Sequence, residues 1–428
     1  MKFSCPLCGG NIEGEEAWIG LQADCPHCAK KISIPTPATP SPSNSPLTTA
    51  LTLDAPESES ESLQSSPFPR PRVDKQNDSE STNDSESSLG IVMMMICIIS
   101  GLKPLEDFSF SHLLTNPFKH RSGSDIDSYF NCGCPQTTPL LDTLPSGWPR
   151  PWFFWRMFVY GLLILLVFVV GVQDFENINM LPGLMVVGAF FVPLACVTLF
   201  FEFNILRDIS LYQVLKFIVC GGAVSLIIAL LLFAATGLNE TFLGATSAGI
   251  IEEVAKVLAA VAMLRGARQY KWILNGLLVG SAVGAGFAGF ESAGYIFRAF
   301  LSDLAENCDL TQFYSTLIQR ALFSPFCHVI WTASVVGALW RVKKDQPFRV
   351  SMLIHKDFLR ILGFVMSLHM LWNSGLLWHI PRNHAMLKGE LLLWLTSIIG
   401  SWYLALLLVQ EGLWQVRNAR ISSDSHIA

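Results

Sequence analysis

Charge is what this sequence has least of. Only 15% of its 428 residues are charged while 51% are hydrophobic. From Phe153 to Gln410 that scarcity leaves apolar runs long enough to cross a bilayer, which takes about 20 residues per helix. Other absences narrow the reading. There is no Walker-type or dinucleotide-binding glycine motif, which sets nucleotide-dependent chemistry aside. No internal repeat is visible. No serine or cysteine beside a base stands out, so a covalent mechanism has little support. The first residues, Met1-Lys2-Phe3-Ser4-Cys5, lead into a cysteine motif and not into an apolar signal region, so the first spanning helix is expected to act as the insertion signal. The net charge of −5 says little, because it averages over compartments and an acidic linker.

The apolar runs number eight: roughly 153–172, 181–201, 213–236, 242–264, 272–297, 320–340, 361–378 and 389–410. Basic residues fill alternate loops: Arg150 and Arg156, Arg207, then Arg265, Arg268 and Lys271, then Arg341 to Arg360, then Arg417 and Arg420. The intervening loops are acidic or neutral, with Arg382 and Lys388 a mild exception. Positive charge is retained on the cytoplasmic side, so both termini are expected there, in a bacterial cytoplasmic membrane. The shorter run 91–99 reads as an interfacial or local packing element. Trp148 to Trp155 reads as an aromatic belt at the cytoplasmic interface. The expected fold is an all-α polytopic membrane protein of about eight helices in a bundle. It divides into a zinc-ribbon-like module at 1–34, a mostly disordered linker at 35–150, the membrane domain at 151–412 and a tail at 413–428.

The module rests on Cys5-Pro-Leu-Cys8 and Cys25-Pro-His-Cys28. Each CxxC turn places two thiolates on one tetrahedral ion, so the four predict a bound Zn²⁺. Two disulfides are the alternative, which a cytoplasmic location disfavours. His27 is not needed as a ligand. Cys132 and Cys134 stay open between pairing and idleness, and the remaining cysteines read as packing residues. The Pro, Ser and acid-rich stretch that follows cannot build a core.

Inside the apolar runs lie four polar insertions: Glu252-Glu253-Val-Ala-Lys256, Phe287-Ala-Gly-Phe-Glu291, His328 with Gly337 nine residues on, and His369-Met-Leu-Trp-Asn373. An ionisable group in a spanning helix costs about 2.5–3.5 kcal/mol, so such groups usually face a functional cavity. From the expected helix ends, Glu252, Glu291, His328 and His369 sit roughly 9–15 Å below the outer surface, on four separate helices. Lys256 shares a helix face with both glutamates, and His369 shares one with Asn373. The glutamates themselves point about 100° apart, so one faces the reaction centre while the other orients or neutralises. Gly276, Gly280 and Gly284 let a neighbouring helix approach closely; Gly286, Gly289 and Gly294 extend that narrow surface. The plainer readings make Lys256 a counterion, Phe287 packing, Gly337 a helix contact, His328 a satisfied core histidine and Asn373 a bridge between helices.

Taken in this order, EExxK, FxxxE, His with a later Gly, and HxxxN resemble the PrsW family of intramembrane proteases, which is related to Rce1-type CAAX proteases and CPBP proteins. The resemblance is strong over about 240–380, looser over 150–412, and omits the cysteine module. It implies hydrolysis of a peptide bond in a membrane-embedded or membrane-anchored substrate, an anti-sigma factor in some members. Water activation falls to Glu252 or Glu253 with Glu291. Oxyanion stabilisation falls to His369 and Asn373, with His328 in support. A Zn²⁺ held by glutamates and histidines is the open variant. A proton-coupled transporter and a catalytically idle membrane receptor are the competing classes. No residue pattern points to nucleic acid.

Overall fold

The computed structural model describes residues 2–4, 11–13, 22–24 and 31–33. From 88 to 424 it describes all but 114–118, 123–129, 134–135, 146, 242, 265–268, 307–308, 324–325 and 375–383. The chain divides into two compact units, Met1–Ser81 and Thr82–Ala428.

In the first unit, β1 (Lys2–Ser4) pairs antiparallel with β2 (Asn11–Glu13), and β3 (Gln22–Asp24) with β4 (Lys31–Ser33). Each connection carries one CxxC pair in the sequence. Cys5, Cys8, Cys25 and Cys28 lie outside the described residues, as do Cys134 and the Pro, Ser and acid-rich stretch.

The second unit is helical: α1 (Ser88–Ser100), α2 (Phe153–Gln173), α3 (Leu181–Phe203), α4 (Leu211–Thr236), α5 (Ala248–Leu264), α6 (Ile273–Glu306), α7 (Thr311–Phe323), α8 (His328–Lys343), α9 (Lys356–Asn373) and α10 (His384–Asp424). Six segments among the described residues are long and apolar enough to cross a membrane, not the expected eight. The two that fall short are α5, with 17 residues, and α9, which carries Lys356, Asp357 and Arg360 in its first turns. The expected sixth span is also interrupted. It ran unbroken through Pro325, but α7 stops at Phe323 and α8 starts at His328. Proline has no backbone donor and its ring clashes with the preceding turn, so a helix does not run smoothly through it.

Helix α6 is the axis of the bundle, touched by α3, α4, α5, α7, α8 and α10. Its glycines explain how so many neighbours fit. A Cβ at Gly280 or Gly284 would meet the Thr332 or His328 carbonyl of α8 at 2.5 or 2.6 Å, and one at Gly286 would meet Ile218 O of α4 at 1.9 Å. Ile218 lies in the π-helical turn Phe217–Gly221, where one wide turn presses the α4 backbone against α6. Gly294 departs from the expected narrow surface, since its added Cβ would meet open space.

Carboxylates fasten the outer helices. Glu202, buried near the end of α3, accepts the backbone N–H groups of Trp152, Phe153 and Phe154 at 2.8, 3.1 and 2.8 Å. It therefore caps α2 across space, satisfying donors that a helix start leaves orphaned. Asp303 of α6 does the same for α7 through Gln312 N and Phe313 N. At the opposite end of α6, the Asn275 amide donates to Asp208 at 2.7 Å. Burial pushes the Asp208 carboxyl above its ordinary range, against the pull of hydrogen bonds from Asn204 and Asn275.

The expected linker reaches too far along the chain. Helix α1 packs on α9 and α10, and Ile96, Leu102, Leu144 and Trp148 belong to the main core. Gln410 clamps the strap after α1, accepting from Glu106 N and donating to Pro104 O. The aromatic belt is likewise more internal than expected. Trp148 and Trp152 are buried, and the Arg121 and Arg156 guanidinium groups lie 4.1 and 4.8 Å from the Trp152 ring. Stacking on cations and core packing draw these rings inward from a lipid-facing position.

Candidate active site

Four helices bring the polar insertions together. Glu252, Glu253 and Lys256 occupy successive turns of α5; Glu291 comes from α6, His328 opens α8, and His369 and Asn373 close α9. Glu252, Glu291, His328, His369 and Asn373 line one cavity of about 300 Å³, whose rim includes Asn239 and Gly244 ahead of α5. Gly337 does not reach it. Nine residues along α8, it packs on Leu277 of α6 as a helix contact.

Lys256 is fully buried and donates to Glu253 Oε1 at 2.8 Å, while its Nζ lies 2.9 Å from His328 Nδ1. An ammonium has only donors, so His328 Nδ1 must be the acceptor and the ring proton sits on Nε2. That Nε2 faces Glu291 Oε2 at 3.1 Å. His369 has the opposite tautomer. Its Nδ1 lies 2.9 Å from Glu253 Oε1, and an ionised carboxylate only accepts, so Nδ1 carries the proton and Nε2 keeps its lone pair. Phe287 does more than fill space: Lys256 Nζ lies 4.2 Å from its ring centroid, and the ring packs against His328. Trp331 lies against both histidines, at 5.6 and 4.6 Å between ring centroids.

The two adjacent glutamates divide as the helix geometry predicts. Glu253 is wholly buried and accepts from Lys256 and His369, whereas Glu252 faces the cavity. Glu252 Oε2 is buried without a hydrogen-bond partner. Three nitrogens surround it just beyond bonding distance: Lys256 Nζ at 3.7 Å, His369 Nε2 at 3.7 Å and His328 Nδ1 at 4.0 Å. Three carboxylates here face two fixed cations, Lys256 and Arg320, so with neutral histidines one negative charge is left over. An orphaned buried acceptor is costly, and an uncompensated charge more so.

Arg320 escaped the sequence reading. It lies on α7, its Nη1 donates to Glu291 Oε2 at 3.0 Å, and its guanidinium stacks 3.8 Å from the Tyr295 ring. The residue stood at the edge of an expected span, where arginines are ordinarily read as anchors. In the structure it lines the cavity beside Glu291.

A divalent cation fits this donor set. Glu252, His328 and His369 each offer one ligand atom, all within 4.8 Å of one another. His369 is already arranged as a ligand would be, with Nδ1–H held by a carboxylate and Nε2 free. His328 would first exchange one of its present partners.

Residues 210–404 match the family model described as PrsW family intramembrane metalloprotease. The match covers less than half of the chain but contains every intramembrane residue just named. Searches of curated proteins and of solved structures each found no match. The matched region marks an intramembrane endopeptidase, an integral membrane hydrolase whose substrates are membrane proteins.

Proposed function

We propose that Glu252 and His369 activate the water that attacks the scissile peptide carbonyl. The observation behind this reading is the unsatisfied Glu252 Oε2, 3.7 Å from the free lone pair of His369. A water between them donates one hydrogen to each, which turns an oxygen lone pair toward the cavity. Glu252 takes the proton as the C–O bond forms, and returns it to the departing amide nitrogen as the C–N bond breaks. Glu253 is a positioning residue: it fixes the His369 tautomer and holds Lys256. The Asn373 amide is the donor on the cavity wall for the developing oxyanion, and such a donor is commonly worth about 2.7–4 kcal/mol; the one N–H of His328 is given to Glu291. These roles differ from the sequence expectation: Glu253 and Glu291 leave water activation to Glu252, and His369 moves from the oxyanion to the water, which the lone pair on its Nε2 suits better.

Glu252, His369 and, after exchange, His328 would hold a zinc ion, which supplies Lewis acidity and a lower proton affinity of bound water. A metal-free version has its own support, because both His328 nitrogens are already engaged by Lys256 and Glu291. Basic residues gather at the far end of the bundle, so the cavity opens on the extracytoplasmic side and the substrate is cut near that boundary.

Purified protein with a membrane-anchored substrate tests the set. Glu252→Gln should lower turnover by about 10³-fold or more while the protein stays folded. Undiminished cleavage would sink the assignment. A chelator with zinc add-back separates the two chemistries, and mass spectrometry of the product ends reads the side of the cut.

A further inference from the structure

Glu291 shares one oxygen between two donors. Oε2 accepts from Arg320 Nη1 at 3.0 Å and from His328 Nε2 at 3.1 Å. The bonds around it form one chain, running from His369 to Glu253, Lys256, His328, Glu291 and finally Arg320. Every link joins a donor to an acceptor. The inner end is rigid, because Glu253 and Lys256 are wholly buried on one helix. The outer end is fixed only by Arg320, which comes from a different helix and is itself held flat by the Tyr295 ring, one turn beyond Glu291 on α6.

We infer that Arg320 is a positioning residue for the hydrolysis: it holds Glu291 on His328 and thereby keeps the His328 ring protonated on Nε2, with its Nδ1 lone pair held between Lys256 and Glu252. Without the guanidinium, the Glu291 carboxylate loses a charge-assisted bond and is free to turn away. His328 Nε2–H then loses its acceptor, so neither the tautomer of the ring nor its place beside Glu252 stays fixed. Lysine at 320 would keep the charge but not the flat stack on Tyr295, so it restores the link in part. The inference rests on the protease reading above, although its spectroscopic arm does not.

The experiment uses the full chain carrying Arg320→Gln, Arg320→Lys, Glu291→Gln and the double variant Arg320→Gln/Glu291→Gln. The expected result is a kcat about ten-fold or more lower for Arg320→Gln, with KM within about two-fold. Arg320→Lys should recover a large part of kcat. The double variant should be no slower than Glu291→Gln alone, because groups acting through one another are not additive. Nitrogen NMR of ¹⁵N-histidine-labelled protein, with His328 assigned by its loss in His328→Gln, should show its protonated Nε2 shifted by Arg320→Gln, whether or not any substrate is cleaved. An unshifted His328 signal overturns the inference. So does an additive double variant, which would mean that Arg320 touches substrate by itself. Equal failure of the Gln and Lys variants, each in proportion to lost folded protein, would reduce Arg320 to a strut. Absence of cleavage by the native chain together with a shifted His328 signal would sink the protease reading and leave the Arg320–Glu291–His328 link standing.

Discussion

Helices α2 and α6 invert the rule that governs water-soluble proteins. The more apolar α2 has only 6% of its most apolar stretch buried, whereas the less apolar, glycine-rich α6 has 94% buried. In lipid, an apolar side chain gains nothing by moving inward, since hydrocarbon tails are as apolar as leucine. Burial there goes instead to surfaces that pack closely or that carry groups lipid cannot satisfy. Helix α6 has both, in its glycine face and in Glu291.

The largest way to break this comparison is to give α6 a side chain it has no room for. Gly286→Leu forces atoms against Ile218 O and should cost more than about 3 kcal/mol, read as lost folded protein in detergent. Leu166→Ala on the exposed face of α2 should leave unfolding unchanged; a comparable loss there would remove the distinction. A smaller effect is expected where α2 does depend on the interior. Glu202→Ala strips the acceptor from three backbone donors and should lower the unfolding temperature, at about 1.5–3 kcal/mol. The smallest effect on cleavage is expected in the other unit of the chain. We propose that Cys5, Cys8, Cys25 and Cys28 bind one Zn²⁺. Residues 1–34 should then fold on adding zinc, by circular dichroism, while deleting them leaves the intrinsic rate unaltered. A spectrum indifferent to zinc would count against the site.

Much of the site was legible because charge inside an apolar run is conspicuous. Glu252, Glu291, His328, His369 and Asn373 line one cavity, and Glu253 and Lys256 are bonded to that set from behind. The small-residue spacing of Gly276, Gly280 and Gly284 also foretold a close partner, which proved to be α8. What could not be read were interactions between helices distant in sequence. Nothing local distinguishes Arg320 from an interfacial anchor until its guanidinium is seen on Glu291 and Tyr295. Glu202 and Asp303 look like stray acids in sequence, yet each caps a neighbouring helix. The eight expected spans became six because α5 and α9 are shorter or more charged than hydropathy windows tolerate. Those two helices carry Glu252, Glu253 and His369, although α5 falls short in length and α9 through Lys356, Asp357 and Arg360.

That shortfall bears on how the protein is made. A helix holding Glu252, Glu253 and Lys256 pays about 2.5–3.5 kcal/mol for each charge if it enters the bilayer alone. Its relief arrives late in synthesis. His328 follows Lys256 by 72 residues, and His369 follows Glu253 by 116. A helix α5 that enters the bilayer before α8 and α9 are made therefore lacks both histidine partners. The polar cluster closes only once α9 is present, so a product truncated before His369 is expected to be inert.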